Sequence, residues 1–237
     1  MANQLDLEEQ EQLDQIKHFW KQHGNLITWI LIAVLAAFAG WNAYQLWQRN
    51  QAEQASAMYD ELDRQSRQAD LALVERAFAD MKDRYPRTTY AWQGALLAAK
   101  VLSEGGKTDA ANAALTWILG SSADDGYKAI ARLRLAGLLA EGKFFDQALA
   151  QLGGDFPAQF QGLAADRRGD VLQLQGKTSE ARAAFGQAYK LLDERVEYRR
   201  LVELKLNALG VDPRAATADG AATLAAAGGA SASGATK

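Results

Sequence analysis

Residues 163–193 read LAADRRGDVLQLQGKTSEARAAFGQAYKLLD. Two amphipathic runs flank a glycine-bearing break at Gly176. Small residues (Gly169, Ala181, Ala188) and large ones (Leu172, Phe185) recur at helical spacing on either side of it. Such a pattern predicts two antiparallel helices joined by a tight turn. Gly169 and Ala181 let the two backbones approach, while Leu172 and Phe185 fill the space between this pair and its neighbour.

Working outward, the spacing is that of the small and large positions of a tetratricopeptide repeat. Placed on residues 93–118, the same template finds Ala99, Leu102, Gly106, Ala111 and Leu115. On residues 130–152 it finds Ala136, Leu139, Phe145, Ala148 and Leu152, with the turn glycine Gly142 one place early. The second-helix alanines Ala111, Ala148 and Ala181 lie 37 and 33 residues apart, bracketing the usual repeat of about 34. An irregular earlier unit, residues 52–86, keeps Phe78 and a closing Pro86, and EYRRLVELKLNAL at 197–209 is a single amphipathic helix suited to cap the stack. Breaks are expected near Gln68-Ala69-Asp70, Tyr85-Pro86, Gly105-Gly106, Gly120-Ser121-Ser122, Gly142, Gly153-Gly154, Gly176 and Gly210. A helical bundle without repeats is the alternative.

Composition agrees with a nearly all-α chain. Alanine supplies 47 of 237 residues, whereas Ile and Val together supply 13; alanine favours helix and β-branched residues favour strand. With 26 basic and 29 acidic residues, the chain lacks the broad positive field of a nucleic-acid binder. The absence of cysteine excludes disulfides, thiolate zinc sites and thiol nucleophiles, and two histidines, His18 and His23, leave little for a metal site or a Ser-His-Asp triad. No nucleotide-binding, zinc-protease or nucleophile-elbow motif occurs. Asp124-Asp125 reads as a helix N-cap rather than a catalytic pair. The chain is therefore read as a non-enzyme without cofactors.

A second kind of apolar sequence precedes the repeats. From Gln22 to Gln48 no residue carries a formal charge, and residues 26–44 read LITWILIAVLAAFAGWNAY. Nineteen helical residues cover about 28 Å, close to the hydrocarbon thickness of a bilayer. Trp20, Trp29, Trp41, Tyr44 and Trp47 are the expected interfacial anchors. Ala37-Phe38-Ala39 would fit a signal-peptide cleavage site, but five acids and only Lys17 and Lys21 precede the apolar run, which also continues into Trp41, Tyr44, Leu46 and Trp47. An uncleaved anchor is the preferred reading. Lys17 and Lys21 before the span, against Arg49 after it, place the N-terminus in the cytoplasm and the large part across the membrane, a single-pass type II arrangement.

Four segments follow: an acidic amphipathic tail (1–24, with Leu13, Ile16 and Trp20 on one face and a brief break at Gly24-Asn25), a transmembrane helix (25–47), a tetratricopeptide-like domain (48–210) and a disordered Ala/Gly/Ser-rich tail (211–237). The expected fold class is all-α, one N-terminal transmembrane helix followed by a tetratricopeptide-like helical-hairpin solenoid.

The tail ending EQLDQIKHFWKQHGN, the span closing in GWNAYQLW, and RYPRTTYAWQGALLAAK at 84–100 followed by degenerate repeats resemble the YfgM-type inner-membrane proteins, ancillary subunits of the SecYEG translocon. The resemblance covers residues 8 to about 210 and does not include the alanine-rich extension. It implies a bacterial inner-membrane location with a periplasmic repeat domain. It also implies association with SecYEG and a PpiD-type membrane-anchored chaperone, and help for newly exported chains leaving the channel. The resemblance further links the cytosolic tail to a stress-response regulator.

In a repeat stack the first helices of each pair line the concave side. By template position the groove candidates are Gln93, Leu96, Lys100 and Ser103, then Ile130, Leu133 and Gly137, then Asp166, Asp170 and Gln173. The basic runs Arg132/Arg134, Arg167/Arg168 and Arg195/Arg199/Arg200 read as solvated faces paired with nearby acids. An envelope or cell-division scaffold holding one folded partner through the same repeats is the alternative function.

Overall fold

The computed structural model describes residues 3–214, and of residues 3–16 and Phe19 the backbone alone. The tail at 215–237 and the tail-helix face of Leu13 and Ile16 lie outside the described residues. Every described element is a helix: α1 (Asn3–Arg67), α2 (Leu71–Arg84), α3 (Thr89–Glu104), α4 (Thr108–Gly120), α5 (Asp125–Glu141), α6 (Phe145–Leu152), α7 (Ala158–Leu174), α8 (Thr178–Leu191) and α9 (Tyr198–Ala208). Contacts divide the chain into two units, Met1–Gln54 and Ala55–Lys237.

In the first unit, α1 is long and apolar enough to cross a membrane, and its most apolar stretch is wholly unburied. Leu26, Trp29, Leu35, Phe38, Trp41 and Trp47 are all exposed. Two polar residues within this stretch turn back onto their own helix. Thr28 Oγ1 donates to the Gly24 carbonyl at 2.8 Å and Asn42 Nδ2 to the Phe38 carbonyl at 3.1 Å, which is how such groups are accommodated where water is absent. The helix also runs through Gly24-Asn25 without the expected break. A helical glycine costs only about 1 kcal/mol, and here the Trp20 indole lies across it, within 3.2 Å of where a Cβ would stand.

The second unit begins with residues 55–67 of α1, whose Ala55 and Leu62 are fully buried. Helix pairs then follow with α9 at the end, and the expected breaks fall between helices. Asp70, Thr88 and Asp124 cap α2, α3 and α5, each accepting from a backbone N–H two or three residues on. A main cluster joins Leu62, Val74, Phe78, Leu102, Ala111, Leu115, Ala136, Ala148 and Leu152. A second joins Leu172, Ala181, Phe185, Ala188, Val202 and Leu206. The template residues of the repeats thus form the interior.

Four helices end alike. The N–H of Lys107, Phe144, Lys177 and Val211 reaches back to the carbonyl of Leu102, Leu139, Leu172 and Leu206 at 2.8, 2.8, 2.9 and 3.0 Å. The residue before each sits at positive φ: Gly106 at 81°, Lys143 at 62°, Gly176 at 76° and Gly210 at 80°. This is the helix-ending motif that favours glycine. The early glycine of the second repeat is thereby explained, because Gly142 occupies the preceding position and Lys143 takes the left-handed conformation in its stead.

Candidate functional site

The first helices of the three recognisable pairs, α3, α5 and α7, expose a groove made of two adjoining cavities. The smaller, about 240 Å³, includes Lys100, Ser103, Leu133, Arg134, Leu138 and Arg167 in its lining. The larger, about 600 Å³, includes Ala140, Asp170, Gln173 and Leu174. Gly137, Glu141 and Arg167 line both. A Cβ on Gly137 would meet only the Arg167 guanidinium, at 3.9 Å, so the missing side chain keeps the passage between the cavities open.

Of the sequence candidates, Lys100, Ser103, Leu133, Gly137, Asp170 and Gln173 come together there. The others lie elsewhere. Gln93 Nε2 donates to the Tyr127 hydroxyl at 3.0 Å, joining α3 to α5 above the Trp92–Tyr127 ring contact. Leu96 and Ile130 pack on the main core, Leu96 as a buried member and Ile130 half-buried against it. Leu96 is therefore not a groove residue, since its side chain belongs to the core and lines neither cavity.

Asp166 is a second correction. Its carboxylate is 1% exposed. It accepts from the Tyr198 hydroxyl at 2.6 Å and from Lys205 Nζ at 2.9 Å, and Lys205 also reaches Asp170 at 2.7 Å. The ammonium stands 5.1 Å from the Phe185 ring centroid. A carboxylate this deep persists only when paired and hydrogen-bonded, and α9 supplies both partners. Burial raises the Asp170 carboxyl above its usual value, with Lys205 opposing the rise. Burial, reinforced by the bond to Asp166, raises the Tyr198 phenol. The capping helix is thus tied to α7 by a charged lock in which Asp166, assigned by spacing to the groove, is buried, while Asp170 serves both lock and groove.

The basic runs divide in the same way. Arg132 is no solvated face: its guanidinium donates to the carbonyls of Gln151 at 2.8 Å, Asp155 at 2.9 Å and Gly153, and it covers the Phe156 ring at 4.0 Å. Burial lowers its affinity for the proton. Arg134 Nη1 donates to the Leu96 carbonyl at 3.0 Å. Arg199 pairs with Glu194 at 3.1 Å as expected, but it is not a solvated face: it also donates to the Tyr189 carbonyl and covers the Tyr189 ring at 4.0 Å.

A membrane-length helix followed by stacked helical hairpins with an open groove along their first helices defines a repeat protein of the tetratricopeptide class. Residues 17–211 match the family model described as a tetratricopeptide repeat-like domain. The chain is 30% identical over 204 residues to the ancillary SecYEG translocon subunit of Neisseria gonorrhoeae, covering 86% of this chain and 98% of that protein. It is 30% identical to the Haemophilus influenzae protein of the same name over 206 residues, and 25% identical to the Escherichia coli one over 206 residues, each across 86% of this chain. The chain belongs to the family of ancillary SecYEG translocon subunits with a tetratricopeptide repeat-like domain.

Proposed function

We propose that this protein is a non-catalytic, membrane-anchored subunit ancillary to a bacterial SecYEG translocon. In this reading its groove takes flexible segments of a PpiD-type periplasmic chaperone, of newly exported polypeptides, or of both, and assists their transfer and folding. The observation that carries the proposal is the match from end to end: relatives bearing that name align over 97–98% of their length, span and repeats together. The unburied apolar helix supports anchoring in the lipid bilayer, with Trp20, Trp29, Trp41, Tyr44 and Trp47 at its interfaces. The excess of lysine before the span supports a cytoplasmic N-terminus and a periplasmic repeat domain, single-pass type II in the inner membrane. The acidic tail is then free to meet a cytosolic stress-response regulator.

A photo-reactive residue at Lys100 or Gln173, introduced in living cells, tests the reading. Capture of translocon subunits, a membrane-anchored chaperone and many exported chains is the expected result. A single folded envelope or division protein as the sole adduct would replace the translocon role with a scaffold role.

A further inference from the structure

Many cations of the repeat unit have a local partner. Lys107 pairs with Glu75 at 2.8 Å, Arg214 with Glu203 at 2.7 Å and Arg67 with Asp63 at 2.5 Å, and Arg132 is taken up by backbone carbonyls. The smaller cavity differs. Lys100 from α3, Arg134 from α5 and Arg167 from α7 all line it, against the single acid Glu141. Arg134 is fixed by the neutral Leu96 carbonyl, which orients the guanidinium without cancelling its charge. The acid nearest Arg167 is Asp170, 3.9 Å away, and Asp170 is itself held by Lys205 at 2.7 Å. Leu133 and Leu138 supply apolar surface in the same cavity.

We infer that the groove is selective for extended polypeptide segments that carry Asp or Glu next to apolar side chains. This rests on the proposed reading of the groove as a polypeptide site and names the chemistry it prefers. The three cations come from three successive first helices, so the positive field runs across the helices, the direction an extended chain would take. Packed helices stand about 9 Å apart, and a chain extended as polyproline II advances about 3.1 Å per residue with three residues per turn. An acidic side chain at every third position would therefore meet successive cations, with apolar residues between them against Leu133 and Leu138. At the far end, Glu141 and Asp170 together with Lys205 leave no such excess, which sets the preferred acidic end of the segment over α3 and α5.

The test uses the full chain in lipid nanodiscs and fluorescently labelled short peptides, acetylated and amidated so that only side chains carry charge. One peptide has Glu at every third position among Leu and Val; its counterparts have Gln or Lys there. Anisotropy titration should show the Glu peptide binding about tenfold more tightly than the Gln peptide, with the gap closing at high salt. Lys100→Glu and Arg167→Glu should each weaken the Glu peptide about fivefold more than they weaken the Gln peptide. Gly137→Phe, which fills the joint between the cavities, should abolish binding of both, with circular dichroism showing the helices intact. Equal binding of Glu and Gln peptides, still blocked by Gly137→Phe, would overturn the charge preference while leaving the groove reading in place. Binding indifferent to Gly137→Phe, or no binding by any peptide, would overturn both.

Discussion

The hairpins α7–α8 and α5–α6 answer one packing problem in two ways. In the third repeat Gly169 faces Phe185 so closely that a Cβ on the glycine would stand 2.5 Å from the ring, and Phe185 is fully buried. The equivalent positions in the second repeat hold Ala136 and Leu152, both buried. The first repeat repeats that choice with Ala99 and Leu115. What is kept is the combined volume of the pair, as close packing requires, and not either residue alone. The two hairpins also close differently. α8 runs 14 residues and is sealed by α9 through the Asp166 lock, whereas α6 runs only 8 and its end is stapled by the Arg132 guanidinium.

The largest expected effect lies in the seal of the third hairpin. Lys205→Met leaves the Asp166 carboxylate buried without its counter-charge and should cost about 3 kcal/mol, read as a lowered unfolding midpoint in urea. A wild-type midpoint would mean that Tyr198 alone holds Asp166. Next, Gly169→Ala drives a methyl into the Phe185 ring and should cost about 2 kcal/mol. Adding Phe185→Leu converts the third pair into the chemistry of the second and should recover at least about 1 kcal/mol of that loss. Strict additivity of the two changes in a double-mutant cycle would refute the shared-volume account. A smaller gain is expected in the second hairpin: Lys143→Gly relieves a left-handed non-glycine and should raise stability by about 1 kcal/mol. Gly176→Lys in the third should lose a similar amount, and thermal unfolding compares the two directly.

The weakest effect appears only in alkali. The phenol of Tyr198 ionises above the ordinary 10.0 in the folded chain. Unfolded chains therefore release that proton first. The stability this group lends is complete below pH 10 and falls as pH rises beyond it. Tyr198→Phe should flatten the alkaline limb of a stability–pH profile, and an unaltered slope would take the hydroxyl out of the lock.

Legibility followed the range of the interaction concerned. The repeats' turn glycines and second-helix alanines are local signals, and they fell where the pattern placed them. Cross-repeat contacts were not legible. A template assigns Leu96 and Asp166 to the groove by position, but their burial depends on distant chain: Leu96 joins a core cluster with residues of later helices, and Asp166 is held by Tyr198 and Lys205, over thirty residues away. Arg132 was misread for the same reason, since its acceptors are carbonyls freed by the early end of α6. The continuity of α1 through Gly24 turned on a small energy, which the Trp20 indole offsets. In the groove, position found residues with a local tie, such as Ser103 on the Lys100 carbonyl, and also Asp170, whose partner Lys205 lies 35 residues on. Arg134 and Arg167 were noted only as charge runs, and no periodicity distinguishes a cation facing a cavity from one facing water.

The ties between repeats share a further property. Gln93 to Tyr127 spans 34 residues, Leu96 to Arg134 spans 38 and Asp166 to Lys205 spans 39. Each repeat unit therefore finds its partners in the stretch of chain that follows directly. Ties of this range join nearest-neighbour units, so stability spreads through the stack from one unit to the next. The Asp166 lock is the last of these ties along the described residues, because its lysine lies on α9. A loosened tie is therefore felt first by the two units it joins.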